Sequence, residues 1–231
     1  MRMVRWPARA VLRLAINRRL VDGPIGTRYL ARRATMRPLL PSADSDLYLD
    51  GFPRSANSYA FYAFKQSNPT ALLAGHCHSA TALASAVTLG VPAMLLVREP
   101  LACASSFTQY VPGLKLSSAL RHYRRFHRRL EVHRESIFVA DFADVIRDFG
   151  AVLIEFNQFA GTNFAPFVKD DVSEAAVSAM LDQANEVYAG GAAHTLARPS
   201  SSRSGVETLA LSRRELRILR QCTDLYDRLR S

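Results

Sequence analysis

The chain has no apolar run long enough to cross a membrane. Arginines interrupt every hydrophobic stretch near its amino terminus and no clear cleavage site follows, which argues against a secretory leader. Cysteine is scarce: Cys77, Cys103 and Cys222 are odd in number and irregularly spaced. That argues against a disulfide framework and for a reducing, cytoplasmic compartment. Cys103 and Cys222 read as small buried hydrophobes. The phosphate-loop signature G-x-x-x-x-G-K-[ST] is also missing, and no Ser or Thr follows a lysine to hold magnesium. Nor is positive charge spread over the chain. Residues 1–40 hold ten arginines and one acid, Asp22, so they carry +9 of the net +10. Nucleic-acid binding by the body of the protein is poorly supported on that distribution.

What is present is the composition of one sizeable domain: 231 residues, 48% hydrophobic and 22% charged. The punctuated stretch 38–45, PLLPSADS, divides a basic helical arm, residues 1–41, from a domain spanning 42–231. In the arm, Arg5, Arg9 and Arg13 recur at four-residue spacing opposite an apolar face. Residues 1–21 suit a helix lying on an anionic inner-membrane surface, with Trp6 near the interface. A solvated arm, or a helix packed on the domain, fits the same pattern.

From Asp46 onward, strand and helix signals alternate. Strands are expected at 46–50, 71–75, 91–97 and 136–140, the third nearly all apolar. Helices are expected from Ser58, over 79–89, after Pro100, and over 115–134, 141–160, 172–188 and 212–229. This order implies an α/β fold in three layers, with a central parallel sheet of about four strands and helices on both faces. Ligands of such folds collect at the carboxyl ends of the strands.

Three polar clusters follow strands. The first lies in DLYLDGFPRSANSYAFYAF, residues 46–64, where Gly51-Phe52-Pro53 ends a strand and a helix begins near Ser58. The first N–H groups of a helix have no intrahelical partner, and the helix dipole favours an anion there. Ser55, Asn57 and Ser58 offer side-chain donors, and Arg54 a planar cationic fork. The second cluster is His76-Cys77-His78, and the third begins at Arg98. His-x-His on a strand suits a metal, but the sequence shows no third ligand and none is expected.

Pro53-Arg54-Ser55-Ala56-Asn57-Ser58 resembles the 5′-phosphosulfate loop of the sulfotransferases, close to P-[KR]-S-G-[TN]-[TS]. It departs at Ala56, where that family usually has a glycine that permits positive φ. The resemblance extends over about residues 46–229 and implies a P-loop-like fold using 3′-phosphoadenosine 5′-phosphosulfate (PAPS). It assigns the 5′-phosphate to residues 55–58, the 3′-phosphate to Arg98 and to Ser106 eight positions later, and an aromatic contact with adenine to Tyr59. Ser105 is the neighbouring alternative to Ser106. His78 matches the family's catalytic base after the second strand, and His76 falls at its lysine. Arg203, Ser204 and Gly205 resemble the late R-K-G segment that closes over the 3′-phosphate, with Ser204 in place of Lys. The activity implied is in-line transfer of a sulfuryl group from PAPS to an acceptor hydroxyl, on a glycan or a lipid headgroup among others. Arg54 would neutralise the leaving phosphate oxygen, and no metal is needed. Two alternatives stand beside it: a magnesium-dependent P-loop-like small-molecule kinase, and a non-catalytic membrane-associated binding protein.

Overall fold

Five consecutive buried residues, Leu47–Gly51, form β1. It lies between β2 (Leu73–Gly75) and β3 (Ala93–Val97), and β4 (Phe138–Asp141) completes the sheet in the order β2-β1-β3-β4. All three pairings are parallel, with Leu49 opposite Gly75 and Met94, and Leu96 opposite Ala140. The computed structural model describes Arg32, residues 39–189 and residues 210–231. The expected three-layer α/β architecture is observed.

Parallel strands need crossover connections, and these put helices on both faces. On one face, α1 (Asn57–Ser67), α6 (Phe149–Ala160) and α7 (Asp171–Ala189) cover Leu47, Leu49, Met94 and Leu96. On the other, α2 (Ala80–Thr88), α3 (Pro100–Tyr110), α4 (Leu116–Leu130) and α8 (Arg213–Arg230) cover Tyr48, Leu95 and Val97. The Leu/Tyr alternation of β1 reads as a half-buried strand, yet both its faces are sealed. A central position in the sheet overrides the local pattern.

Helix boundaries follow the caps. Pro100 opens α3, and the Glu99 carboxylate accepts the N–H groups of Leu101 and Ala102 at 2.9 and 2.6 Å. The single helix expected over 141–160 is two, α5 (Phe142–Arg147) and α6, because Asp141 and Asp148 each cap a first turn. The helix expected over 115–134 ends at Leu130 and tightens into a 3-10 turn, Glu131–Ser136, which delays β4 to Phe138. The capping box of α8, Ser212 with Glu215, fixes its start. Among the described residues, no helix is long and apolar enough to cross a membrane.

Candidate functional site

The strand order creates the site. The chain leaves β1 toward β2 on one side, and leaves β3 toward β4 on the other. Their carboxyl ends therefore flank the point where the connections diverge, the place where folds of this kind bind ligands. The loop after β1 and Arg98 after β3 occupy its two sides. A depression lined by Ser45, Asp46, Pro92 and Phe164 lies at the opposite edge, where the strands begin. It gathers no comparable set of functional side chains, so convergence rather than concavity locates the site.

The loop 52–56 is anchored from below. Phe52 is fully buried, its ring 5.3 Å from those of Phe107 and Tyr123. Gly51 is required by close approach: a Cβ there would meet the Leu96 carbonyl oxygen at 2.4 Å. Asn57 Nδ2 and the Ser55 N–H both donate to the Phe52 carbonyl, at 2.9 and 3.2 Å. Ser55 Oγ lies 3.5 Å from Cys103 Sγ, and that thiol donates to the Pro53 carbonyl at 3.3 Å. Burial raises the Cys103 pKa to about 11, so the thiol keeps its proton. Ser55 and Asn57 are buried and their polar groups point into the loop. They are expected from the sequence as donors to a ligand; in the structure the Asn57 amide serves the buried Phe52 carbonyl and the Ser55 hydroxyl faces the Cys103 thiol.

Above this scaffold the backbone is left-handed at Arg54 (φ 77°) and at Ala56 (φ 68°). The glycine-like geometry anticipated for position 56 is present, carried by an alanine at a cost of about 1 kcal/mol. Ala56 has no side chain with which to cap α1, and the first turn of α1 holds no acid. By contrast α2 and α3, which flank the same edge, are capped by Ser79 and Glu99. The α1 amino terminus thus presents backbone N–H groups and positive dipole charge.

Two arginines meet at this terminus. Arg98 Nη1 donates to the Arg54 carbonyl at 3.0 Å, and its guanidinium stacks 4.0 Å from the centre of the Phe142 ring. Arg54 Nε donates to Ser106 Oγ at 3.0 Å, and its guanidinium lies 5.6 Å from the centre of the Tyr110 ring. Tyr123 Oη donates to the Arg98 carbonyl at 2.8 Å, tying the end of β3 to α4. Arg54, Arg98 and Ser106, up to 52 residues apart in the chain, form one cationic group. Among the described residues no carboxylate pairs with Arg98.

The two histidines take different positions. His76 Nε2 shares a hydrogen bond with Ser58 Oγ at 3.0 Å, and its ring lies 5.6 Å from that of Phe61. Burial, helped by the charge of neighbouring His78, lowers its pKa to about 3, so it is neutral near pH 7. His78 is a third exposed. Its Nδ1 sits 3.0 Å from the Gly51 carbonyl oxygen, which can only accept, so Nδ1 carries a hydrogen, and in the neutral ring the lone pair is on Nε2. The rings are 5.2 Å apart. Among the described residues, no group of three or more His, Cys, Asp or Glu side chains is placed to hold a metal ion.

Tyr59 is 5% exposed, its hydroxyl donating to Glu174 Oε1 at 2.6 Å and its ring edge-on to Phe167. Its side chain belongs to the core between α1 and α7. Arg203, Ser204 and Gly205, and nearly all of residues 1–41, lie outside the described residues.

The residue that sequence reasoning passes over is Asp50. In the sequence it is only the last residue of the expected strand 46–50, yet it is fully buried beneath the site. Its carboxylate accepts from Gly51, Cys77, His78 and Ser79 N–H groups at 2.9, 3.2, 3.0 and 3.2 Å, and from Tyr48 Oη at 3.2 Å. Burial raises its pKa above the ordinary carboxylate value, opposed by the His78 charge and by the backbone donors. An acid directly before the strand-ending glycine was the available signal. No protein-family model matches the chain, and no curated protein matches it.

Proposed function

We propose that this protein is a sulfotransferase, moving a sulfuryl group from PAPS to an acceptor hydroxyl by in-line displacement. The observation that carries the reading is the meeting of Arg54, Arg98 and Ser106 at the uncapped amino terminus of α1, with His78 in the neighbouring loop turned so that Nδ1 meets the Gly51 carbonyl. The first turn of α1 holds no acid, which suits a phosphate at that terminus. In this reading the N–H groups of residues 56–58 hold the 5′-phosphate, the Ser55 N–H being held by the Phe52 carbonyl, and Arg98 with Ser106 the 3′-phosphate. Arg54 donates to Ser106 in the structure described, so donor binding exchanges that contact for contacts to phosphate oxygens. The acceptor oxygen forms its bond to sulfur as the bond from sulfur to the phosphate oxygen breaks. Arg54 neutralises the charge that gathers on the departing oxygen. His78 Nε2 takes the acceptor's proton. Arg203, Ser204 and Gly205 are assigned to closure over the 3′-phosphate, which would limit loss of the sulfuryl group to water.

Thermal unfolding with adenosine 3′,5′-bisphosphate, with ATP and magnesium, and with neither ligand tests this directly. A ligand at a hundred times its Kd stabilises by about 2.7 kcal/mol, a rise of roughly 5–10 °C for a domain this size. The expected rise comes with the bisphosphate alone, and His78→Ala keeps it while transfer of labelled sulfate to an acceptor ceases. A rise confined to ATP with magnesium would favour a kinase and overturn the assignment.

A further inference from the structure

Asp50 and the turn 76–79 form a unit that the transfer scheme above does not use. Three consecutive backbone N–H groups, those of Cys77, His78 and Ser79, point at one buried carboxylate. Gly51 N–H and Tyr48 Oη complete a set of five donors. An ionised carboxylate is acceptor-only and offers about four lone-pair sites, which suits this arrangement. A protonated Asp50 would need an acceptor for its own hydrogen, and four of its five neighbours are N–H groups. The cradle is therefore built for the anion. It also holds a strained backbone: His76 and His78 have φ of 59° and 53°. Such conformations persist where surrounding contacts over-determine them. With its N–H tied to Asp50 Oδ1, His78 is turned so that Nδ1 reaches the Gly51 carbonyl at 3.0 Å and lies 3.7 Å from Asp50 Oδ1.

We propose that Asp50 is a positioning residue: its buried carboxylate locks the turn that holds His78 as the Nδ1–H tautomer and presents Nε2 as the free base. An unrestrained histidine side chain in water prefers the opposite, Nε2–H, form. When Nε2 accepts a proton, the ring becomes an imidazolium whose charge faces the Asp50 carboxylate. The use of Nε2 on an acceptor hydroxyl rests on the sulfotransferase reading; the tautomer and its cause do not.

Nitrogen-detected imidazole spectra of the labelled full chain at pH 8, with His78 identified by its loss in His78→Gln, test the inference without substrate. The expected wild-type signal is Nδ1–H, and in Asp50→Asn it shifts toward a mixture rich in Nε2–H. An unchanged tautomer in a folded Asp50→Asn protein overturns the inference. Should that variant not fold, the wild type alone decides: either an Nε2–H ring at His78 or a protonated Asp50 carboxyl carbon signal at pH 7 overturns it. Activity separates this inference from the reading beneath it. Asp50→Asn is expected to lower kcat of sulfuryl transfer at least tenfold, with bisphosphate affinity within twofold of wild type. A wild type that transfers nothing yet shows the Nδ1–H ring, displaced in Asp50→Asn, ends the sulfotransferase reading and leaves Asp50's role standing.

Discussion

His76 makes the protein acid-sensitive in a calculable way. Its folded pKa of about 3 lies far below the 6.5 of a free histidine. Between those values the unfolded chain binds a proton that the folded ring refuses. The resulting stability is complete above pH 6.5, drains away as pH falls, and is gone below about 3. Between pH 7 and pH 5 the loss is about 2 kcal/mol, from one pKa unit being 1.36 kcal/mol. For a domain of this length that is a fall in Tm of roughly 4–8 °C. The structural cause is confinement: Ser58 occupies Nε2, and Phe61 and His78 lie against the ring. Calorimetric unfolding of wild type and His76→Gln across pH 5–7 reads the effect, together with its coupling to His78, as the difference between the two curves. The wild-type curve should be steeper by the stated amount. Parallel curves would show that folded His76 accepts a proton near its ordinary pKa, and the confinement argument would fail.

Arg98→Ala should weaken binding of adenosine 3′,5′-bisphosphate by roughly 2–5 kcal/mol, read by titration calorimetry, since a charge-assisted contact is lost; unchanged affinity would remove Arg98 from the site. Ala56→Gly should raise stability in urea by about 0.5–1 kcal/mol, because relief of the left-handed penalty exceeds the entropy added to the unfolded chain. A loss of stability would mean that the methyl packing of Ala56 outweighs its backbone strain.

The sheet and its covering helices were legible because the signals were strong and redundant. The stretch from Val91 to Val97 is nearly all apolar, Pro100 marks a helix start, and Gly51, Asn68-Pro69 and Gly90 mark the ends of the first strand and the first two helices. The place of the site was legible as a consequence, since parallel strands bring their carboxyl ends to one edge. Side-chain direction was not. Ser55 and Asn57 carry the right chemistry for a ligand, but the buried Phe52 carbonyl lies closer and claims the Asn57 amide. Asp50 stood out as nothing more than a strand residue, and only the turn after β2, folded over its carboxylate, seals it inside. The resemblance sets His78 at the base and His76 at a lysine, but residue type alone does not tell the two rings apart. Their neighbours separate them: Ser58 and Phe61 for one, the Gly51 carbonyl for the other. Two aspartates seven residues apart, both good caps, divided a helix that apolar periodicity alone would run together.

Among the described residues, the four non-glycine positions with positive φ are Arg54, Ala56, His76 and His78. All four fall in the two loops that leave β1 and β2. This inverts the ordinary rules of substitution there. Glycine becomes the mildest replacement for the fold, and valine or isoleucine the harshest. In a saturation library sorted first for folding and then for turnover, glycine would survive the first sort at all four positions. The positions where it then drops out are those retained for a side chain, and those where it stays are retained for a bend.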